Sequence, residues 1–156
     1  MSDTAQGMAD FAPPLVEVED LGDGCLIVRS PVQLEPYANN LLEYLTHWAE
    51  REPDRSFLAE RDALGNWQKL SYRETLKRVR SIAQALLDRG LNAQRPVMIL
   101  SENSIEAGLL QLAAMYAGVP VVPVSPTYSL MSGDFGKLRY VVGLIQPALI
   151  YAASGK

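Results

Sequence analysis

The chain has 156 residues, 48% hydrophobic and 21% charged, the balance of a globular domain long enough to bury a core. A formal net charge of −4 with a pI near 5.0 leaves no basic face for a nucleic-acid backbone, and no apolar run approaches the roughly 20 residues that cross a bilayer. Cys25 is the single cysteine, which excludes an internal disulfide and a multi-cysteine metal site. The acidic opening MSDTAQGMAD has neither the basic start nor the apolar centre of a secretion signal, so a cytoplasmic protein is expected.

Residues 1–14 are small and polar, end in Pro-Pro, and read as a disordered tail. An α/β subdomain is expected over 15–156. LVEVE and CLIVR flank DLGDG, and alternation around an Asp/Gly turn predicts a β-hairpin over 15–29. In ANNLLEYLTHWAERE, Leu41/Leu42, Leu45 and Trp48/Ala49 recur at helical spacing, with Asn39 or Asn40 as N-cap. Pro53 closes that helix, because the residue before a proline is pushed out of the α region. SFLAERD, the turn ALGN and WQKLS predict a second hairpin, 57–61 against 67–70.

Ser71-Tyr72-Arg73-Glu74 has the S-x-x-E form of a capping box. Behind it Tyr72, Leu76, Val79, Ile82/Ala83 and Leu86/Leu87 make a buried stripe, and Gly90 supplies the left-handed residue that ends the helix. The order then becomes strand, helix, strand, helix, strand. Residues 97–100 are a short apolar run, as a strand covered on both faces should be. Asn103 is expected to cap the next helix with Glu106 in the reciprocal position, and Ile105, Leu109, Leu112/Ala113 and Tyr116 to form its buried face, ended by Gly118. VVPV is a strand. Ser132 or Asp134 opens a helix carrying Leu138, Val141/Val142 and Ile145, stopped by Pro147, and residues 148–151 form a last strand. This alternation predicts an α/β fold, a mostly parallel sheet flanked by helices and preceded by hairpins. So little sheet after the last helix reads as the front of a longer protein.

Chemistry is sparse. The terminal SGK fails as a phosphate-binding loop, since Ile150 stands where the first glycine belongs. His47 is the only histidine; with no nucleophile or carboxylate placed beside it, a surface role is the simpler reading. Cys25 reads as a small core residue of a hairpin strand. Glu17, Glu19 and Asp20 read as a solvated hairpin face rather than a metal site. Ligands of open α/β sheets bind beyond the carboxyl ends of the strands, and SENS (101–104) and SPTYS (125–129) leave two such ends. Asn103, Ser125 and Tyr128 are therefore the candidate contacts to a substrate or anion, Asn103 marking a helix start whose amides favour negative charge. The competing reading is helix capping, with Tyr128 packed over the edge and the loop a supported turn.

LSYRETLKRVRSIAQALLDRGL and PVMILSENSIEAGLLQLAAMYAGVPVVPVSPTYSL resemble the N-terminal part of AMP-forming acid–CoA ligases of the adenylate-forming superfamily. VEVEDLGDGCLIVRSP, HWAEREPDRSFLAERD and SPTYSLMSGDFGKLR look most like the feruloyl-CoA synthetase group. The resemblance implies a parent enzyme that joins a carboxylic acid such as ferulate to ATP with Mg²⁺, releasing pyrophosphate, after which coenzyme A displaces AMP. The family's phosphate loop ending in P-K-G, its later nucleotide motifs and the lysine of its small C-terminal domain have no counterpart in these residues. The chain alone is thus expected to be inactive, with no catalytic, cofactor-binding or metal residue of its own. Its expected partners are the remainder of the ligase and, through the parent, an aromatic carboxylic acid. The alternative is a stand-alone interaction module that self-associates through an exposed sheet edge.

Overall fold

The computed structural model describes residues 15–153; the tail expected over 1–14 lies outside the described residues. The chain divides between Tyr37 and Ala38 into two compact units.

The first unit contains β1 (Glu17–Asp20) and β2 (Leu26–Arg29), an antiparallel hairpin in which Glu17 faces Arg29 and Asp20 faces Leu26. Every residue of both strands is exposed. Arg29 pairs with Glu19 and lies 3.9 Å from Glu17, so the acidic cluster is a solvated hairpin face whose charge Arg29 offsets in part across the ladder. Cys25 departs from expectation. It belongs to the turn, its amide donates to the Asp23 carboxylate at 3.2 Å, and its side chain is exposed rather than part of a core.

The second unit opens with α1 (Leu41–Arg51), whose N-cap Asn40 accepts from the amides of Leu42 and Glu43. A hairpin of β3 (Ser56–Arg61) and β4 (Trp67–Ser71) follows, with a register shift between Ser56 and Leu58. Next comes α2 (Tyr72–Asp88), which begins with both halves of the capping box, Ser71 Oγ on the Glu74 amide and Glu74 on the Ser71 amide. Gly90 has φ +72°, the left-handed geometry a helix stop requires. The remaining elements are β5 (Val97–Leu100), α3 (Ile105–Tyr116), β6 (Val121–Val124), the single turn α4 (Thr127–Leu130), α5 (Gly136–Ile145) and β7 (Leu149–Ala152). These last three strands form a parallel sheet in the order β6-β5-β7. The fold is mixed α/β, with a parallel sheet flanked by helices, as the alternation predicts.

Two apolar clusters hold this unit together. One joins Leu42 and Leu45 of α1, Leu70 of β4, Leu76 and Val79 of α2, and Ile105 and Leu109 of α3. The other seats Leu86, Leu110 and Val119 against Val97 and Ile99 of the central strand. Leu87 and Tyr116, expected in the buried stripes, are instead 46% and 42% exposed, at the margins of those stripes. Inside α2, Thr75 is completely buried and its hydroxyl has no hydrogen-bond partner.

The two outer strands present different edges. The Val97 amide donates to the Pro120 carbonyl at 2.8 Å, and Val97 pairs with Val121. Alternation then turns the backbone of Val121 and Pro123 away from β5, and proline has no N–H to offer. On the other side Ala153 N donates to the Leu100 carbonyl at 3.3 Å, and Leu100 pairs with Ala152. The backbone groups of Ile150 and Ala152 therefore face outward, and both residues can donate.

Candidate functional site at the carboxyl edge of the sheet

Parallel strands bring the ends of β5, β6 and β7 to one edge of the sheet. A recess of about 430 Å³ lies there, lined by Leu100, residues 101–104, Pro126, Ser129, Leu130, Ala152 and Ala153. The loop after β5 supplies one wall, α4 a second, and the end of β7 a third. Of the sequence candidates, Asn103 lines the recess, whereas Ser125 and Tyr128 are not among its lining residues. Ser125 Oγ stands 2.8 Å from Thr127 Oγ1 and accepts from the Thr127 amide, a local turn bond. Tyr128 donates its amide to the Ser125 carbonyl, and its ring lies 5.6 Å from Lys137 Nζ. The structure thus separates the three, with Asn103 on the recess and the other two closing the turn beside it.

The start of α3 differs from the sequence reading in a way that matters for charge. Its N-cap is Ser104, not Asn103, and Ser104 Oγ accepts from the Ala107 amide at 3.0 Å. The first amide of the helix, Ile105 N, donates at 2.7 Å to Glu60 Oε2 on β3. Two of the three leading amides are therefore already served, one by a carboxylate from 45 residues away. The Glu60 charge occupies the place an anionic ligand would take. Sequence spacing carries no signal for this contact, because Glu60 reads only as a polar position of a hairpin strand.

Nearby, burial holds the Tyr151 phenol above its ordinary range, and the carboxylates of Glu106 and Glu60 add to the effect. The helix after α4 also starts late. Ser132 Oγ accepts from Phe135 N and Asp134 Oδ1 from Gly136 N, but the helix begins only at Gly136, behind Phe135 at φ +55°. The Gly136 amide holds the Asp134 carboxyl below the usual carboxylate range, with the Ser132 hydroxyl contributing.

A broader depression of about 640 Å³ lies between α1 and the end of α3, lined by Glu43, His47, Glu50 and Tyr116 among others. His47 is exposed, its ring edge-on to Trp48 at 5.2 Å. Among the described residues no group of three or more His, Cys, Asp or Glu side chains could hold a metal ion. No described helix is long and apolar enough to cross a membrane.

Known proteins share this architecture. The chain is 36% identical over 84 residues to a D-alanine–D-alanyl carrier protein ligase from Lactococcus lactis, a match covering 54% of this chain and 16% of that protein. It is 34% identical over 87 residues to 4-coumarate–CoA ligase-like 9 from Arabidopsis thaliana, covering 54% of this chain and 15% of that one. Among solved structures it superposes on IdnL1 with a TM-score of 0.64 and 30% identity, covering 77% of this chain and 23% of that chain. The match therefore spans less than a quarter of each of these proteins. A family model described as AMP-binding enzyme matches residues 45–151, about two thirds of the sequence. From the second half of α1 to the last strand, the chain belongs to the AMP-binding enzyme family.

Proposed function

We propose that the chain is the leading part of an ATP-dependent acid–CoA ligase that forms an acyl adenylate and then an acyl-CoA. The observation that carries this reading is the family match over 45–151 in a chain spanning only about a sixth of two ligases. The feruloyl-group wording of residues 15–31 and 125–139 supports ferulate or a related aromatic acid as substrate. ATP, Mg²⁺ and coenzyme A belong to the parent enzyme. The recess does not fit a triphosphate or its metal, since among the described residues the only charged one lining it is Glu102. A charged transition state needs donors and cations already in place, so the chain alone is inactive. Residues 15–156 act as one wall of a larger AMP-binding domain, in a cytoplasmic protein.

Pyrophosphate release with ATP, Mg²⁺, coenzyme A and ferulate tests the inactivity. The expected result is the buffer rate, and ferulate-dependent turnover by the 156-residue chain would overturn it. An immunoblot of native lysate tests the parent. A band several times heavier than 17.2 kDa is expected, whereas a band at 17.2 kDa would favour a second reading, an interaction module without catalysis. The outward backbone of Ile150 and Ala152 favours that reading, because it leaves a strand edge able to pair with a second copy.

A further inference from the structure

We propose that the groove between α1 and α2 docks an acidic helix of a partner protein. The inference stands apart from the ligase reading, because none of the residues it uses lies at the carboxyl edge of the sheet. The groove holds about 370 Å³ and is lined by Ala49 and Glu50 of α1 and by Arg73, Leu76, Lys77 and Arg80 of α2.

One wall is a row of cations. Arg73, Lys77 and Arg80 stand at i, i+4 and i+7, so the row runs about 10 Å along one side of the helix. Like charges at these spacings repel one another, and carboxylates spaced the same way on a facing helix relieve that repulsion. Part of the row is held in place. Arg80 Nε donates to the Tyr116 hydroxyl at 3.2 Å, across to the end of α3, and its guanidinium lies 6.0 Å from the Tyr116 ring centre. Among the described residues no bond engages its two terminal nitrogens, whose donors suit a carboxylate. A side chain already fixed loses less freedom on binding. Arg73 lies 3.6 Å from Asp54, an exposed pair weak enough to exchange for another carboxylate.

The opposite wall decides the class of partner. Glu50 puts a carboxylate on the α1 side, and the buried Ala49 and Leu76 make the floor. A phosphate, a lipid headgroup or a nucleic-acid backbone carries one sign of charge and meets Glu50 with repulsion. A protein helix presents both signs, with acidic residues toward Arg73, Lys77 and Arg80 and a lysine or amide toward Glu50. Lying along the cleft between two helices, it binds in the helix-in-groove mode, with charge setting its register.

The test is an amide-resolved NMR titration of the 156-residue chain with three separate probes: a helical peptide whose glutamates are spaced four and three apart along one side, its sequence-scrambled isomer, and pyrophosphate. The patterned peptide should shift the amides of 49–50 and 73–80, and the shifts should fade as salt is raised. Lys77→Glu should weaken its binding about tenfold at low salt. Arg78→Glu, the same charge change outside the groove, should weaken it no more than about twofold. Tyr116→Phe releases Arg80 without altering its charge and should cost about two- to threefold. Silence at millimolar peptide, equal shifts from the scrambled isomer or from pyrophosphate, or equal losses in K77E and R78E would each overturn the proposal. Sedimentation of the chain alone covers the remaining occupant: salt-sensitive self-association abolished by K77E would put a second copy in the groove and overturn it too.

Discussion

Thr75 sits in the first turn of α2 with no exposed surface and no partner for its hydroxyl. An unpaired buried hydroxyl costs about 1–3 kcal/mol of desolvation that nothing in the fold returns. Thr75→Val exchanges that hydroxyl for a methyl of nearly the same shape, and the two residues have similar helix propensity. The variant should therefore be more stable by about 1–2 kcal/mol. In thermal unfolding that is a rise of roughly 3–8 °C for a domain of this size. Thr75→Ser keeps the hydroxyl but deletes a buried methyl, and should lose about 1 kcal/mol. Urea denaturation followed by far-UV circular dichroism reads both, provided the slope of the transition is unchanged. A T75V midpoint at or below the wild-type value would refute the reasoning. It would mean that the hydroxyl is bonded in solution, for example to a backbone carbonyl one turn earlier in the chain.

Glu60→Ala should cost about 2 kcal/mol by stranding the first amide of α3, and Glu60→Gln about half that, because the amide oxygen still accepts; urea midpoints and hydrogen exchange at Ile105 check both. The backbone amide of Ser71, followed by its hydroxyl, holds the Glu74 carboxyl below its usual range, and the Asn66 amide does most of the same for Asp62. Depressed carboxyl values add stability that is present above the unfolded-state values and is lost as pH falls through the folded ones. Denaturation midpoints should therefore drop between about pH 5 and pH 3, and E74Q with D62N should flatten that drop; an unchanged slope counts against these hydrogen bonds. Ile150→Pro deletes an outward N–H without touching the bonds to β5. If β7 pairs with a second copy, sedimentation should show concentration-dependent association that I150P abolishes, and a sharp wild-type monomer at high concentration would dismiss the pairing.

Local chemistry was the legible part. The capping box at Ser71, the stripe behind it and the left-handed Gly90 are short-range devices, and each is where the residues place it. The parallel sheet followed from continuous apolar runs alternating with helices. The misreadings arose where two residues compete for one role or where a distant group decides. Asn103 and Ser104 both suit an N-cap, and only the backbone path, extended at Ser104, selects the second. Cys25 reads as a small core residue because it falls in an expected hairpin strand, yet a two-stranded hairpin has no second layer to bury it. The turn α4 fell inside a Ser/Pro stretch read only as loop, and it brings Ser129 and Leu130 to the recess where Ser125 and Tyr128 had been named. Glu60 was out of reach, since its partner lies on another element and no periodicity links them.

The unequal sheet edges also bear on the recess. Pro123 removes one of the two outward donors of β6 and Val121 keeps the other, so that flank, with Pro126, Ser129 and Leu130 beyond it, offers a further strand a poorer ladder than β7 does. The β7 side can be joined, and Ala152 and Ala153 at its end form a wall of the recess. A strand pairing with β7 would bring its own side chains beside whatever the recess holds. Partner and ligand would then be thermodynamically linked: if the strand raises the affinity for a ligand by some factor, the ligand raises the affinity for the strand by the same factor.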